Sequence, residues 1–185
     1  MEHFFEKYPE YKITTTPNEQ VIQKYTELLP EDLIQFWKDY GFGTFMDGYL
    51  RFVNPDDYID FLSESVNVYL EPTIVFATTA LGDFYLWEKE RIKIVNYRKG
   101  WSAVVGSKFG LFMEFRLTDK EFLYKKVDAS VYWKAIKEIN PPAFNECLGY
   151  EPMLALGGSE KIENLKCVKM NEHLAFIYQT IGEIE

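Results

Sequence analysis

The residues that most often carry out chemistry are few in this sequence, and their spacing matches no familiar catalytic or metal-binding arrangement. The two histidines are His3, close to the N-terminus, and His173, which has no His or Cys partner at the helical spacing that a zinc site needs. Cys147 lies between Glu146 and Leu148, and neither neighbour is a cation that could activate its thiol. We therefore predict a protein that is not an enzyme and that binds neither a metal nor a cofactor.

Two further motifs match a catalytic or phosphate-binding loop only in part. Ser159 follows Gly157 and Gly158 but lacks the Gly-x-Ser-x-Gly pattern of a nucleophile elbow, so we interpret it as a helix cap. Gly41-Phe42-Gly43 follows a predicted helix, whereas a dinucleotide-binding loop follows a strand and has a third glycine. Pairs of carboxylates for acid–base catalysis stay open, because 29 acidic residues always allow some of them to meet.

One group of carboxylates has a regular spacing. Asp56, Asp60 and Glu64 recur every four residues on the helix that Pro55 is predicted to begin, and Asp57 lies beside them. Like charges at this spacing repel one another, and the positive helix N-terminus offsets the repulsion only for Asp56 and Asp57. Two interpretations follow: a helix face that is simply solvated, or a surface that is complementary to a basic partner.

The charge of the whole chain favours a protein partner over a nucleic acid. Its 29 acidic and 20 basic residues give a formal net charge of −9, and no basic cluster interrupts the excess of acid. Such a chain repels phosphate backbones and is drawn rapidly towards a basic protein. The simpler interpretation, that the charge only keeps the protein soluble, stays open.

The sequence predicts a cytoplasmic protein without a membrane segment. No apolar run approaches the length of about 18 residues that a membrane helix needs. The first residues lack the basic start and apolar core of a signal peptide. Cys147 and Cys167 are too few and too far apart for a disulfide framework, which indicates a reducing compartment and two thiols that serve as small core residues.

Helix signals dominate the first third of the chain. Thr16-Pro17-Asn18-Glu19 is typical of a capping box with proline at the first helical position. A second helix is predicted to begin at Pro30 and to end at Gly41, and a third begins at Pro55. A strand over Tyr49–Val53 lies between the last two helices.

From residue 73 the apolar period changes to two. Short β-rich runs alternate with turn residues, which predicts an antiparallel meander at Thr73–Thr78, Phe84–Trp87, Arg91–Tyr97 and Trp101–Val105. Helical spacing returns after Ser107, and a last helix is predicted from a cap at Asn171 to Gly182. We therefore predict an α+β fold: a central antiparallel sheet packed by helices, and a mostly helical C-terminal module. The expected division is residues 1–117 and 118–185 within one compact body.

Two segments resemble known families. The segment from Leu29-Pro30 through Leu33 and Phe36-Trp37 to Tyr40-Gly41-Phe42-Gly43 resembles the opening of GAD-like domains. The tail is similar to the C-terminal domain of type VI secretion immunity proteins, on the residues Glu146-Cys147-Leu148-Gly149-Tyr150-Glu151-Pro152, Ala155-Leu156-Gly157-Gly158, Leu165 and Glu172-His173-Leu174. The helix starts and stops are also loosely similar to the SUKH superfamily, another group rich in toxin immunity proteins.

The resemblance implies a protein that binds a cognate antibacterial toxin, typically a DNase effector, and protects the producing cell. It supplies no catalytic residues. The expected partner is a basic nuclease domain, and we expect its contact surface at Asp56, Asp57, Asp60 and Glu64. The alternative, from a different class, is a small-ligand sensor or an enzyme whose aromatic side chains line a pocket.

Overall fold

The computed structural model describes residues 1–65 and 73–184, and for residues 64 and 65 it describes the backbone alone. Within these residues one antiparallel sheet is built from seven strands: β1 (Tyr11–Thr15), β2 (Phe42–Phe45), β3 (Leu50–Phe52), β4 (Ile74–Thr79), β5 (Phe84–Glu88), β6 (Arg91–Asn96) and β7 (Trp101–Gly106). Each strand pairs with its neighbours in sequence, so the order across the sheet is β1 to β7. A second, two-stranded antiparallel sheet consists of β8 (Glu146–Tyr150) and β9 (Leu165–Lys169).

Helices cover this sheet. In the described ranges the α-helices are α1 (Glu2–Lys7), α2 (Glu19–Thr26), α3 (Glu31–Tyr40), α4 (Ile59–Ser65), α5 (Phe109–Leu111), α6 (Ala129–Ala135) and α7 (Met170–Ile181). A 3₁₀ turn at Pro55–Tyr58 leads into α4. Two π-helical segments, Phe112–Arg116 and Phe122–Lys126, lie between α5 and α6.

The predicted α+β class and the four-stranded meander are confirmed, because β4 to β7 lie where the period of two placed them. Two other strands of the sheet were not predicted. β1 is exposed along its whole length, and the alternation of Tyr11 and Ile13 with polar residues was a strand signal that sequence reasoning missed. Gly43 on β2 lets β1 approach closely, since a Cβ at Gly43 would lie 3.0 Å from the Ile13 Cα.

One face of the sheet carries an aromatic core. Phe36 on α3 packs against Phe52 on β3, with 4.4 Å between ring centroids, and against Phe109 at 5.5 Å. Trp37 on the same helix is fully buried and meets Phe42 edge to face at 5.2 Å. Each such ring pair adds about 0.5–1.5 kcal/mol beyond the burial of its area. Much of the aromatic content of this chain therefore stabilises the fold.

The opposite face of the sheet carries a smaller core beneath α4 and α7. Phe84 on β5 and Val95 on β6 are cross-strand partners, and both belong to this core. Tyr58 and Leu62 reach it from the α4 side, and Leu174 reaches it from α7. The inward direction of Tyr58 and Leu62 fixes which side of α4 faces outward.

The C-terminal module contains more strand than predicted, since β8 and β9 form a sheet where a mostly helical module was expected. Three predicted helix caps are wrong. Ser159 caps no helix, since the next helical turn, Ile162–Asn164, begins after Lys161, and the Ser159 hydroxyl accepts a hydrogen bond from the Asn164 side chain at 2.9 Å. The Asn18 side chain, not Thr16, caps α2, and it accepts a hydrogen bond from the Val21 N–H at 2.9 Å. Helix α7 begins after Lys169 without a side-chain cap, so Asn171 lies inside the helix.

Buried polar contacts tie the C-terminal module to the large sheet. Arg51 on β3 is 1% exposed, and its guanidinium donates to the carbonyl oxygens of Phe144, at 3.0 Å, and of Glu146. The Tyr49 hydroxyl on the preceding turn donates to the Val127 carbonyl at 2.8 Å. Both contacts join segments that are far apart in sequence, so they fix how the module sits on the sheet.

A chain of ion pairs makes the same connection. Arg98 donates to both carboxylate oxygens of buried Asp83, at 2.9 and 3.1 Å, and lies 3.4 Å from Asp128 of the C-terminal module. Lys99 then bridges Asp128, at 3.0 Å, and Glu160, at 2.8 Å. Because Arg98 and Asp83 are buried, this end of the chain of charges requires an accurate fit between the two parts of the molecule.

Candidate functional site

The acidic segment begins at the 3₁₀ turn before α4, and Asn54 sets its start. The Asn54 side chain accepts a hydrogen bond from the Asp56 N–H at 3.2 Å, and Pro55 occupies the first helical position, where no N–H is needed. Tyr58 and Leu62 point into the core, which leaves the acidic side chains on the outer side. Local sequence therefore determines that carboxylates are displayed here.

Asp56 is already engaged within the protein. Its carboxylate accepts a hydrogen bond from the Tyr25 hydroxyl at 2.6 Å and forms an ion pair with Lys24, both on α2. Partial burial opposes ionisation of Asp56, but the hydrogen bonds from Lys24 and Tyr25 outweigh it, so the pKa of this carboxyl lies below its ordinary value. Asp56 joins α2 to the acidic segment and is not available as a free contact.

Asp57 and Asp60 remain as exposed carboxylates. Partial burial within the protein and, to a smaller extent, the negative charge of Asp56 raise the pKa of Asp57 above its ordinary value. Ile59 lies between them in sequence and is 47% exposed, and it shares a small cleft with Leu28 of the neighbouring turn, which is 40% exposed. We call Asp57, Ile59 and Asp60 the α4 surface.

The α4 surface differs in part from the predicted acidic stripe. Glu64 lies on α4 by its backbone, but its side chain falls outside the described residues. Sequence reasoning missed Lys24, which neutralises Asp56, and Ile59, which adds an exposed apolar side chain to the surface. The sequence contained a signal for the exposure of Ile59, because this residue directly precedes Asp60 on the outer side of the helix. It contained no signal for the ion pair between Asp56 and Lys24.

The cysteines have different environments. Cys147 on β8 is fully buried, and burial raises the pKa of its thiol to about 12, so this thiol is protonated at neutral pH. Cys167 was predicted to lie in the core, but it is exposed. It pairs with Leu148 on the adjacent strand, and since side chains alternate along a strand, it faces away from Cys147.

His173 has a packing role. It is half-buried against Gly149, where an added Cβ would lie 2.6 Å from the imidazole Cε1, and burial lowers the pKa of the imidazole. Residues 1–65 and 73–184 contain no group of three or more His, Cys, Asp or Glu side chains that could hold a metal ion. In that same part of the chain, no helix has the length and apolar character that crossing a membrane requires.

Comparison with protein families identifies both parts of the chain. The family model of the GAD-like domain matches residues 1–98, which include β1 to β6 and the acidic helix α4. The chain belongs to the GAD-like family. The family model of the C-terminal domain of T6SS immunity protein Tdi1 matches residues 107–180 of this GAD-like protein. It is therefore a type VI secretion immunity protein with a GAD-like N-terminus, as the resemblance of both segments predicted.

A solved structure shares the fold of this GAD-like protein. The crystal structure of Atu4351 from Agrobacterium tumefaciens superposes with a TM-score of 0.74 and 17% sequence identity. The match covers 96% of this chain and 88% of that chain, so both the sheet and the C-terminal module are shared. At this level of identity the likeness shows the fold alone. No curated protein sequence matches the chain.

Proposed function

We propose that this GAD-like immunity protein neutralises a nuclease toxin of the type VI secretion system by binding it through the α4 surface. A nuclease has to present cationic groups to phosphate, so the carboxylates of an inhibitor can occupy the same groups. Inhibition then needs binding and no turnover. The cytoplasm, where a nuclease would reach its substrate, is the compartment in which such an inhibitor acts.

The observation that carries this proposal is the composition of the α4 surface. Asp57 and Asp60 form no ion pair with any described residue, so their charge is available to a partner. Exposed Ile59 lies between them and can be covered by the same partner. Protein interfaces commonly combine an apolar centre with a polar rim in this way.

Electrostatic attraction predicts how this surface acts. The charge of −9 draws a basic protein towards the inhibitor, and the α4 surface orients the encounter. We expect Asp57→Asn/Asp60→Asn to slow association with the cognate nuclease toxin by about tenfold at low ionic strength. The salt dependence of the association rate should also become weaker. Stopped-flow fluorescence over a salt series measures both quantities.

A matched variant distinguishes the effect of the charges on the α4 surface from the effect of the net charge of the protein. Glu138→Gln/Glu163→Gln also removes two exposed carboxylates, but from the C-terminal module. Its association rate should stay within about twofold of the wild-type rate, since the α4 surface is intact. Equal slowing by the two double variants would show that only net charge matters, and unchanged rates in both would show that the toxin binds elsewhere. Either result overturns the assignment to α4.

A further inference from the structure

A second surface of the molecule has the opposite character. A cleft of about 700 Å³ lies between α1 and the helical segment that contains α6, and it shares no residue with the α4 surface. Its walls include the rings of Tyr8, Tyr124 and Trp133. Ligand sites in proteins commonly have volumes of about 300–1,000 Å³ and aromatic walls, so the size and the lining both suit a small molecule.

The rim of this cleft is basic although the chain as a whole is acidic. Lys7, Lys120 and Lys137 line it, against a single carboxylate, Asp47. Lys7 donates to the Thr118 carbonyl at 2.6 Å, which holds its ammonium group in place. Four other lysines of the chain are paired with carboxylates, but none of these three has an ion pair within the described ranges. Lys7 and Lys120 lie over the Tyr8 and Tyr124 rings, at 5.5 and 5.6 Å from the ring centroids. Three lysines against one carboxylate make the lining of the cleft favourable for an anion.

The aromatic walls are held in position. The Trp133 indole N–H donates to the Met46 carbonyl at 3.4 Å, and the Tyr124 and Trp133 rings lie 5.9 Å apart between centroids. Tyr124 is 43% exposed, so part of its ring is free to stack with a ligand. Met46 and Asp47 both have positive φ, at 56° and 59°, a costly conformation that is found more often at binding sites than elsewhere.

We propose that this cleft binds a nucleoside monophosphate. The base stacks on the exposed ring of Tyr124, which the Trp133 ring meets edge to face at 60°. The phosphate is bound by the ammonium groups of Lys120 and Lys137, because phosphate oxygens are strong acceptors for lysine. A longer nucleic acid is disfavoured, since the net charge of −9 repels its further phosphates. The inference stands on the cleft alone and does not require the toxin to be a nuclease.

Calorimetric titration of the full-length protein with AMP, GMP, CMP and UMP tests the proposal. At least one of them should bind. The corresponding nucleoside and inorganic phosphate should each bind at least about tenfold more weakly than that monophosphate. If no monophosphate binds at millimolar concentration, the proposal is wrong. It is also wrong if the nucleoside or phosphate alone binds as tightly, because one of the two recognition elements would then be missing.

Variants locate the binding. Lys120→Gln/Lys137→Gln should weaken monophosphate binding by about tenfold or more, and Tyr124→Ala should weaken both monophosphate and nucleoside binding. The control Lys161→Gln/Lys166→Gln removes two exposed lysines outside the cleft and should leave the affinity unchanged. All replaced side chains are exposed, so folding should be retained, and thermal unfolding checks this. Equal affinities in the cleft and control variants would place the ligand elsewhere and overturn the proposal.

Discussion

At the scale of single residues, Arg51 shows how a buried charge can serve the fold. Burial lowers the pKa of its guanidinium, yet four backbone carbonyls surround it: Gly48 at 3.3 Å, Phe144 at 3.0 Å, Pro142 at 3.3 Å and Glu146. A buried carbonyl without a donor costs free energy, so Arg51 satisfies several such groups at once. It thereby holds the segment that leads into β8 against β3.

Replacement of Arg51 should be severe. We expect Arg51→Met to lower the free energy of unfolding by about 2–5 kcal/mol, since methionine replaces the apolar stem of arginine but leaves the carbonyls unpaired. Urea unfolding followed by circular dichroism measures this loss. The control Arg91→Met, at an exposed position on β6, should cost less than about 0.5 kcal/mol. Similar losses in the two variants would contradict the role given to Arg51.

At the scale of elements, one carboxylate joins two helices. Asp56 precedes α4, and its contacts with Lys24 and Tyr25 connect it to α2. The pKa of Asp56 is lower in the folded protein than in the unfolded chain. Its stabilising contribution is therefore complete above the ordinary carboxyl pKa of about 3.9 and is lost as the pH falls through the folded-state pKa.

The pH dependence of the stability of two variants tests this connection. Asp56→Asn should be less stable than the wild type at about pH 6, and the difference should shrink as the pH falls to about 2.5, because protonation removes the same ion pair from the wild type. Lys24→Gln should follow the same trend, since it removes the other partner. Urea unfolding of the three proteins over a pH series gives the result. A difference that stays constant or grows in acid would exclude the ion pair as its source.

At the scale of the whole molecule, the GAD-like part and the C-terminal module form one packed structure. Leu148 of β8 donates its N–H to the Ala80 carbonyl, beside β4, at 2.7 Å, and Tyr132 of α6 donates to the Asp47 carbonyl at 2.6 Å. The core around Phe84 also takes residues from both parts. The two parts therefore bury apolar surface against each other.

Unfolding should accordingly be a single transition. We expect urea curves from circular dichroism and from tryptophan fluorescence to coincide, because the contacts that join the two parts are buried. A chain that ends at Gly106 should fail to fold cooperatively, since it loses Phe144 and Glu146, which pair with Arg51, and Asp128, which pairs with Arg98. Two separate transitions, or a cooperatively folded fragment 1–106, would show instead that the parts are independent domains.

Local sequence determined much of this protein. The helix from Pro30 to Gly41 and the meander from Ile74 to Gly106 were predictable, because apolar spacing, caps and turn residues lie within each element. The carboxylates before and within α4 were predictable for the same reason. Their role as a contact surface stays a prediction.

Other features were decided only by the tertiary structure. Asp56 is neutralised by Lys24, Cys167 is exposed rather than buried, and β1 is a strand because β2 pairs with it. The basic cleft likewise joins Lys7 of α1 to Lys137 near the end of the helical segment. The physical reason is common to all four: each depends on residues that are distant along the chain and meet only in the folded molecule.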